Sequence, residues 1–247
     1  MRSFWTMFKR ELASFFFSPI IYVVGGLLMM LLGWTFVLLV LDMANGEREA
    51  PVTTWFFNMF WLPALILPAV ISMRLLAEEK KTGTLEMLVT APVTDWQIVL
   101  SKFFAGLAVY AIVWVPSIFY GLALRFLVGA SAGVEFSPLF CSFFGVVLNA
   151  SVMIGFGILA SSVTRNQIIA AVLTFVFVFV YLIIPEWIKG FVYSGPLAEG
   201  LSYISIFDHL KQFQRAIIGV QPLIFYVTAT YFFLFWTVRM LESRKWK

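Results

Sequence analysis

Ile20-Ile21-Tyr22-Val23-Val24-Gly25-Gly26-Leu27-Leu28-Met29-Met30-Leu31-Leu32-Gly33-Trp34-Thr35-Phe36-Val37-Leu38-Leu39-Val40-Leu41 runs for 22 residues without a charge. A bilayer's hydrocarbon core, about 30 Å thick, takes roughly 20 apolar residues in helix, so this stretch predicts a transmembrane span. Similar runs occupy residues 55–76, 103–124, 139–163, 168–184 and 223–238. The last two fall near the lower limit of roughly 17 residues for crossing, and Trp, Tyr and Pro residues of the kind that suit membrane interfaces flank them. The prediction is an all-α polytopic membrane protein with six transmembrane helices, one domain over residues 1–247. Composition agrees: 62% of the 247 residues are hydrophobic and 12% charged, against about 45–50% and about 25% in soluble domains. The bilayer is therefore the main solvent.

The charges orient the spans. An even number of spans puts both termini on one side. With that side cytoplasmic, 12 basic residues lie inside (Arg2, Lys9, Arg10, Arg74, Lys80, Lys81, Lys102, Arg165, Arg239, Arg244, Lys245 and Lys247) and five outside (Arg48, Arg125, Lys189, Lys211 and Arg215). Basic residues concentrate on the cytoplasmic side, so both termini are expected there. The net charge of +4 is too small to point to nucleic acid. One cysteine, Cys141, allows no intrachain disulfide, and one histidine, His209, allows no Cys/His metal cluster.

Upstream of the first span, Phe4, Trp5, Phe8, Leu12, Phe15 and Phe16 recur at helical spacing, with Arg2, Lys9, Arg10, Glu11 and Ser14 assigned to the other face. Residues 1–17 therefore read as an interfacial helix, the alternative being an extension of span one into water. Ser18-Pro19 breaks it, and Pro19 can start the next helix. The run at 20–41 is too long for a cleavable signal peptide, so it is expected to stay in the mature protein. Residues 185–222 are too apolar for a solvated loop. Within them Ser205 and Asp208 make a capping box for a short helix with Phe207, Leu210, Phe213 and Ile217 on its apolar face and Gly219 as its stop. That helix reads either as amphipathic or re-entrant, or as an ordinary surface helix, and His209 on it reads as a surface histidine.

The most informative stretch connects spans two and three, over residues 77–95. Glu78, Glu79, Lys80 and Lys81 are expected to carry span two into water, and Gly83 permits a sharp reversal. Residues 84–90, bounded by Gly83 and Pro92, read as a short projecting helix with Leu85, Leu88 and Val89 on one side and Glu86 on another. Thr94 and Gln97 make a capping box that starts the third span. Both ends of the short helix would thus be pinned to long transmembrane levers.

This loop, with its Glu78-Glu79-Lys80-Lys81-Thr82-Gly83-Thr84-Leu85-Glu86 core, the exit at Pro92 and Lys102 beyond, resembles the coupling loop of ABC transporter permeases of the type 2 exporter class. Within that class the chain resembles the short permeases of the gliding-motility and nitrous-oxide-reductase-maturation type. The resemblance covers the whole chain, from Lys9-Arg10-Glu11 to Leu241-Glu242-Ser243-Arg244-Lys245-Trp246. It implies a bacterial inner-membrane complex with two copies of an ATP-binding ABC subunit, a second permease subunit (the same chain or a paralogue) and room for an accessory extracytoplasmic subunit. Glu78, Glu79, Thr82, Gly83, Thr84, Leu85, Glu86, Leu88 and Pro92 would contact or shape the ATPase contact. No cofactor is expected in this chain: ATP and Mg would be bound by the partner, and the sequence has no Gly-x-x-x-x-Gly-Lys-Ser/Thr phosphate loop.

Three other readings compete. A secondary transporter ordinarily carries ionisable groups inside the membrane, but Asp42, Arg74, Lys102 and Arg125 all lie near span ends, and Asn149 and Ser151 read as interhelical hydrogen-bonding residues. A membrane enzyme needs a nucleophile with a base, or metal ligands, at one depth, and the sequence offers no such set. A permease-like assembly or mechanosignalling component remains the third.

Overall fold

A computed structural model of the chain describes residues 2–45, 61–84, 92–128, 135–192 and 195–243. Ten helices and no strand occur among the described residues: α1 (Arg2–Phe16), α2 (Pro19–Ala44), α3 (Trp61–Leu75), α4 (Ala77–Thr82), α5 (Asp95–Val128), α6 (Phe136–Val163), α7 (Gln167–Lys189), α8 (Pro196–Ile204), α9 (Ile206–Gln214) and α10 (Val220–Glu242). Six helical segments, with α3 and α4 counted as one, are long and apolar enough to cross a membrane. This is an all-α, multi-pass membrane protein. Residues 55–60, where the second span was expected to begin, lie outside the described residues.

The span boundaries differ from expectation at two places. The fifth and sixth spans are each 23 residues long, because α7 continues through Pro185 to Lys189 and α10 runs from Val220 to Glu242. Proline removes one helical hydrogen bond. Near the end of an otherwise apolar helix that loss does not stop the chain, and Pro68 and Pro116 are likewise held inside α3 and α5.

The core sits around α6. Helices α3, α5, α7 and α10 all pack on it, while α2 touches the bundle only lightly. Polar side chains tie helices together where the interior would otherwise isolate them. Ser151 and Thr230 share a hydrogen bond of 2.8 Å between α6 and α10, and Ser72 donates to Thr174 at 3.0 Å between α3 and α7. Ser151 is therefore the interhelical bridge expected of it. Asn149 is fully buried, and its amide makes no hydrogen bond among the described residues.

Beyond α7 the chain folds back onto the bundle. Ser205 caps α9, accepting from the Asp208 amide at 3.3 Å. The return half of the expected box is absent, because Asp208 pairs with Lys189, which also reaches Glu186 at 3.3 Å, while the Ser205 hydroxyl donates to Glu186. The buried face of α9 is Ile206, His209, Leu210, Phe213 and Gln214. Ile217 is exposed, and Gly219 caps the start of α10 instead of stopping α9, which ends at Gln214 with Ala216 at φ 58. His209 is not a surface residue. It is 1% exposed, and its Nδ1 lies 3.2 Å from the Tyr226 hydroxyl. Burial holds its pKa below the ordinary value, with Asp208 opposing the shift and Lys189 adding to it.

Helix α9 seats in a notch that only glycine leaves open. A Cβ at Gly145 of α6 would stand 2.5 Å from the Phe213 ring. Gly145→Val is therefore expected to destabilise the protein by about 1–3 kcal/mol, the usual cost of overpacking. Phe213→Ala in the same chain should return part of that loss, so the two effects will not add. Thermal unfolding of the four proteins in detergent measures this, and an unchanged midpoint for Gly145→Val would show that α9 does not seat there.

Candidate functional site

Helix α3 ends at Leu75, and Leu76 is a bend with φ −125 and ψ −31. A new helix start exposes backbone N–H groups that need acceptors. The Leu76 and Ala77 amides both donate to Ser161 Oγ of α6, at 3.0 and 2.7 Å. Ser161, fully buried, thus caps α4 from another helix. Lys80, one turn along α4, donates to the Ser162 carbonyl. Gly83 closes α4 at φ 76, the left-handed conformation in which glycine is unstrained. No atom lies within 4 Å of where its Cβ would be, so torsion and not space is what demands glycine.

The same end of the bundle holds a buried ionic cluster. Lys102 Nζ of α5 lies 2.8 Å from Glu79 Oε1 of α4 and 3.0 Å from Glu11 Oε1 of α1. Arg10, whose side chain is exposed, reaches it from the surface, with Nη2 2.9 Å from Glu11 and 3.5 Å from Glu79. Lys102 is 1% exposed and Glu11 9%. Two cations face two carboxylates, so formal charge balances. A buried set of this kind adds little net stability over apolar packing, but losing one member strands a charge. Its effect is to fix the position of α4 relative to α1 and α5.

Downstream, both halves of the capping box at the start of α5 are made: the Gln97 amide donates to Thr94 Oγ1 at 3.3 Å, and the Thr94 amide donates to Gln97 Oε1 at 3.2 Å. Trp96 stacks on Tyr231 of α10 with ring centroids 6.1 Å apart. The segment between α4 and α5 is thereby anchored on both flanks.

Among the residues singled out from sequence, Glu78 pairs with Arg74 at 2.8 Å, and Glu79 turns inward onto Lys102. Thr82 donates to the Glu78 carbonyl at 3.0 Å and shares a hydrogen bond with Thr84. Gly83, Thr84 and Pro92 are exposed. Leu85, Glu86 and Leu88, with the short helix expected over 84–90, lie outside the described residues but for Thr84. The charged run is not a simple exit into water: Lys81 is exposed, whereas Lys80 is buried and Glu79 largely so.

Ser161 and Ser162 were not singled out, and Glu11 and Lys102 were named only as a polar-face charge and as a span-end charge beyond the loop, not as partners of Glu79. For Glu11 a signal was present, because it stands three residues after Phe8 and four before Phe15, on the apolar stripe and not opposite it. Lys102 likewise follows Ile98 by four residues and precedes Ala105 by three, both buried.

Residues 42–241, most of the chain and all of the segment between the second and third spans, match the family model described as ABC-2 family transporter protein. No curated protein matches the chain.

Proposed function

Because the chain belongs to the ABC-2 family of transporter proteins, we propose that it converts the movement of an ATP-binding partner into substrate passage through the joint at α4, Gly83 and the segment leading to α5. It is a membrane-spanning permease subunit of an ABC transporter, and its own part is transport, not catalysis. ATP-binding ABC subunits are its partners. In the proposed complex two of them bind two permease subunits, with both termini of each permease in the cytoplasm of a bacterial inner membrane, and the cargo moves outward. The resemblance to gliding-motility and nitrous-oxide-reductase-maturation permeases belongs to the same proposal.

The supporting observation is the anchoring of that segment. A push on residues 84–92 has two rigid outlets, α4 held by Ser161, Ser162 and the Glu79–Lys102 pair, and α5 held by its capping box. Transport measured in vesicles separates this from ion coupling. ATP depletion with an imposed proton gradient should stop substrate movement, and continued movement would overturn ATP coupling.

Topology gives a second check. With Cys141 replaced, single cysteines near residues 45, 132 and 195 should react with an impermeant reagent from outside, and those near 85, 166 and 245 only after the membrane is opened. Labelling at 195 from the cytoplasmic side would remove the fifth or the sixth span.

A further inference from the structure

Helix α1 uses its aromatic residues to enclose space as well as to fill it. Phe4, Trp5 and Phe8 form one wall of a cleft of about 480 Å3, and Phe104, Ala108 and Ala111 of α5 form much of the other. The α1 rings lie nearly parallel, Trp5 on Phe8 with centroids 5.1 Å apart and 13° between planes, Phe4 on Phe8 at 6.4 Å and 19°. They make a flat apolar wall. Opposite, the methyl side chains of Ala108 and Ala111, one helical turn apart, leave the space that larger residues would occupy.

At the rim stands a cation. Lys9 Nζ lies 5.7 Å from the centroid of Trp5. The one acid of α1, Glu11, faces inward onto Lys102 and Arg10, so it does not neutralise Lys9. An apolar slot with a basic residue at its mouth is complementary to an amphiphile with an anionic head. Phe4 meets Phe104 edge-on with centroids 6.3 Å apart, a direct ring contact that closes one end of the cleft, and the remaining space of about 480 Å3 would take little more than one turn of a helix about 10 Å across. A hydrocarbon chain fits such a slot, and a soluble phosphate ester would find no polar lining inside it.

We propose that the cleft between α1 and α5 binds an acyl chain of an anionic phospholipid, whose phosphate lies at Lys9. The bound chain completes the packing of α1 on α5 and so tunes how firmly α1 holds the ionic cluster behind it.

Native mass spectrometry tests this on the full chain, taken into mild detergent with phosphatidylglycerol or phosphatidylcholine. Wild type should retain one phosphatidylglycerol per chain under conditions that strip phosphatidylcholine. Lys9→Gln should lower that retention about five-fold, the effect of one lysine at an anionic surface, without changing helicity by circular dichroism. Ala108→Phe, which fills the slot, should abolish it. A phosphatidylglycerol carrying a photoreactive acyl chain should label α1 or the 104–111 stretch of the wild type, which keeps the test valid if Ala108→Phe fails to fold. Equal retention of both lipids, insensitivity to Lys9→Gln, or labelling confined to other helices would overturn the proposal. So would loss of a dimer in Ala108→Phe with lipid retention intact, since that outcome assigns the cleft to a second copy of the chain.

Discussion

Leu85→Asp should leave the chain in the membrane and remove the ATPase from it. Residue 85 follows Gly83 on the segment between the two anchored helices, outside the apolar runs, so insertion does not depend on it. In the proposed complex Leu85 fills an apolar groove of the partner. An aspartate there would lose its hydration without gaining a counter-charge, at a cost of several kcal/mol. Each 1.4 kcal/mol is about tenfold in affinity, so association should fall by about two to three orders of magnitude. Membrane abundance, ATPase copurification and stimulated ATP hydrolysis, compared with wild type, report the three consequences separately. Full recruitment and full transport by Leu85→Asp would make the segment a plain connector. Gly83→Val should act in the same direction but more weakly, since it meets open space and opposes only the positive φ, a strain of about 1–3 kcal/mol.

Much of the fold could be read before any coordinate, because lipid imposes a simple requirement on sequence. A span must be long, apolar and helical, and the runs at 20–41, 55–76 and 103–124 meet it with little ambiguity. Breaks were also legible where they are local. Ser18-Pro19 separates α1 from α2, and Thr94 with Gln97 starts α5, each within a few residues of sequence. The errors came where local chemistry yields to packing. Pro185 reads as an end, yet α7 passes through it. Gly219 reads as a helix stop, yet the chain has already turned at Ala216 and uses Gly219 to begin α10.

The site was harder because its partners are far apart in sequence. A charged residue beside a span has water as its default environment, and nothing near Glu79 or Lys80 indicates that they turn inward. Their partners, Lys102 and the Ser162 carbonyl, lie on α5 and α6. Helical periodicity carried part of the answer, since Glu11 and Lys102 interrupt apolar stripes, but each interruption alone looks like a boundary charge. His209 shows the same limit at the other end of the bundle. Its neighbour Asp208 pairs with Lys189, while the imidazole turns the opposite way to Tyr226.

The ionic cluster yields the second large effect. Lys102→Met removes the cation that lies within 3.0 Å of both carboxylates, leaving Glu11 and Glu79 with Arg10 alone. Breaking a buried charge set from one side costs about 3–5 kcal/mol, a large fraction of the 5–15 kcal/mol that typically stabilises a fold. Lys102→Met combined with Glu79→Gln removes one charge of each sign and leaves the Arg10–Glu11 pair, so the double variant should be more stable than Lys102→Met alone. The comparison requires thermal unfolding of wild type, Glu79→Gln, Lys102→Met and the double variant in the same detergent. A second readout, ATP hydrolysis stimulated by the reconstituted complex, should fall further in the double variant than its stability does, because α4 has lost its tether to α5 while the fold has been restored. Strictly additive losses in unfolding would show that Lys102 and Glu79 do not act as a unit, and full stimulation in the double variant would show that their contact plays no part in passing the ATPase's movement to α5.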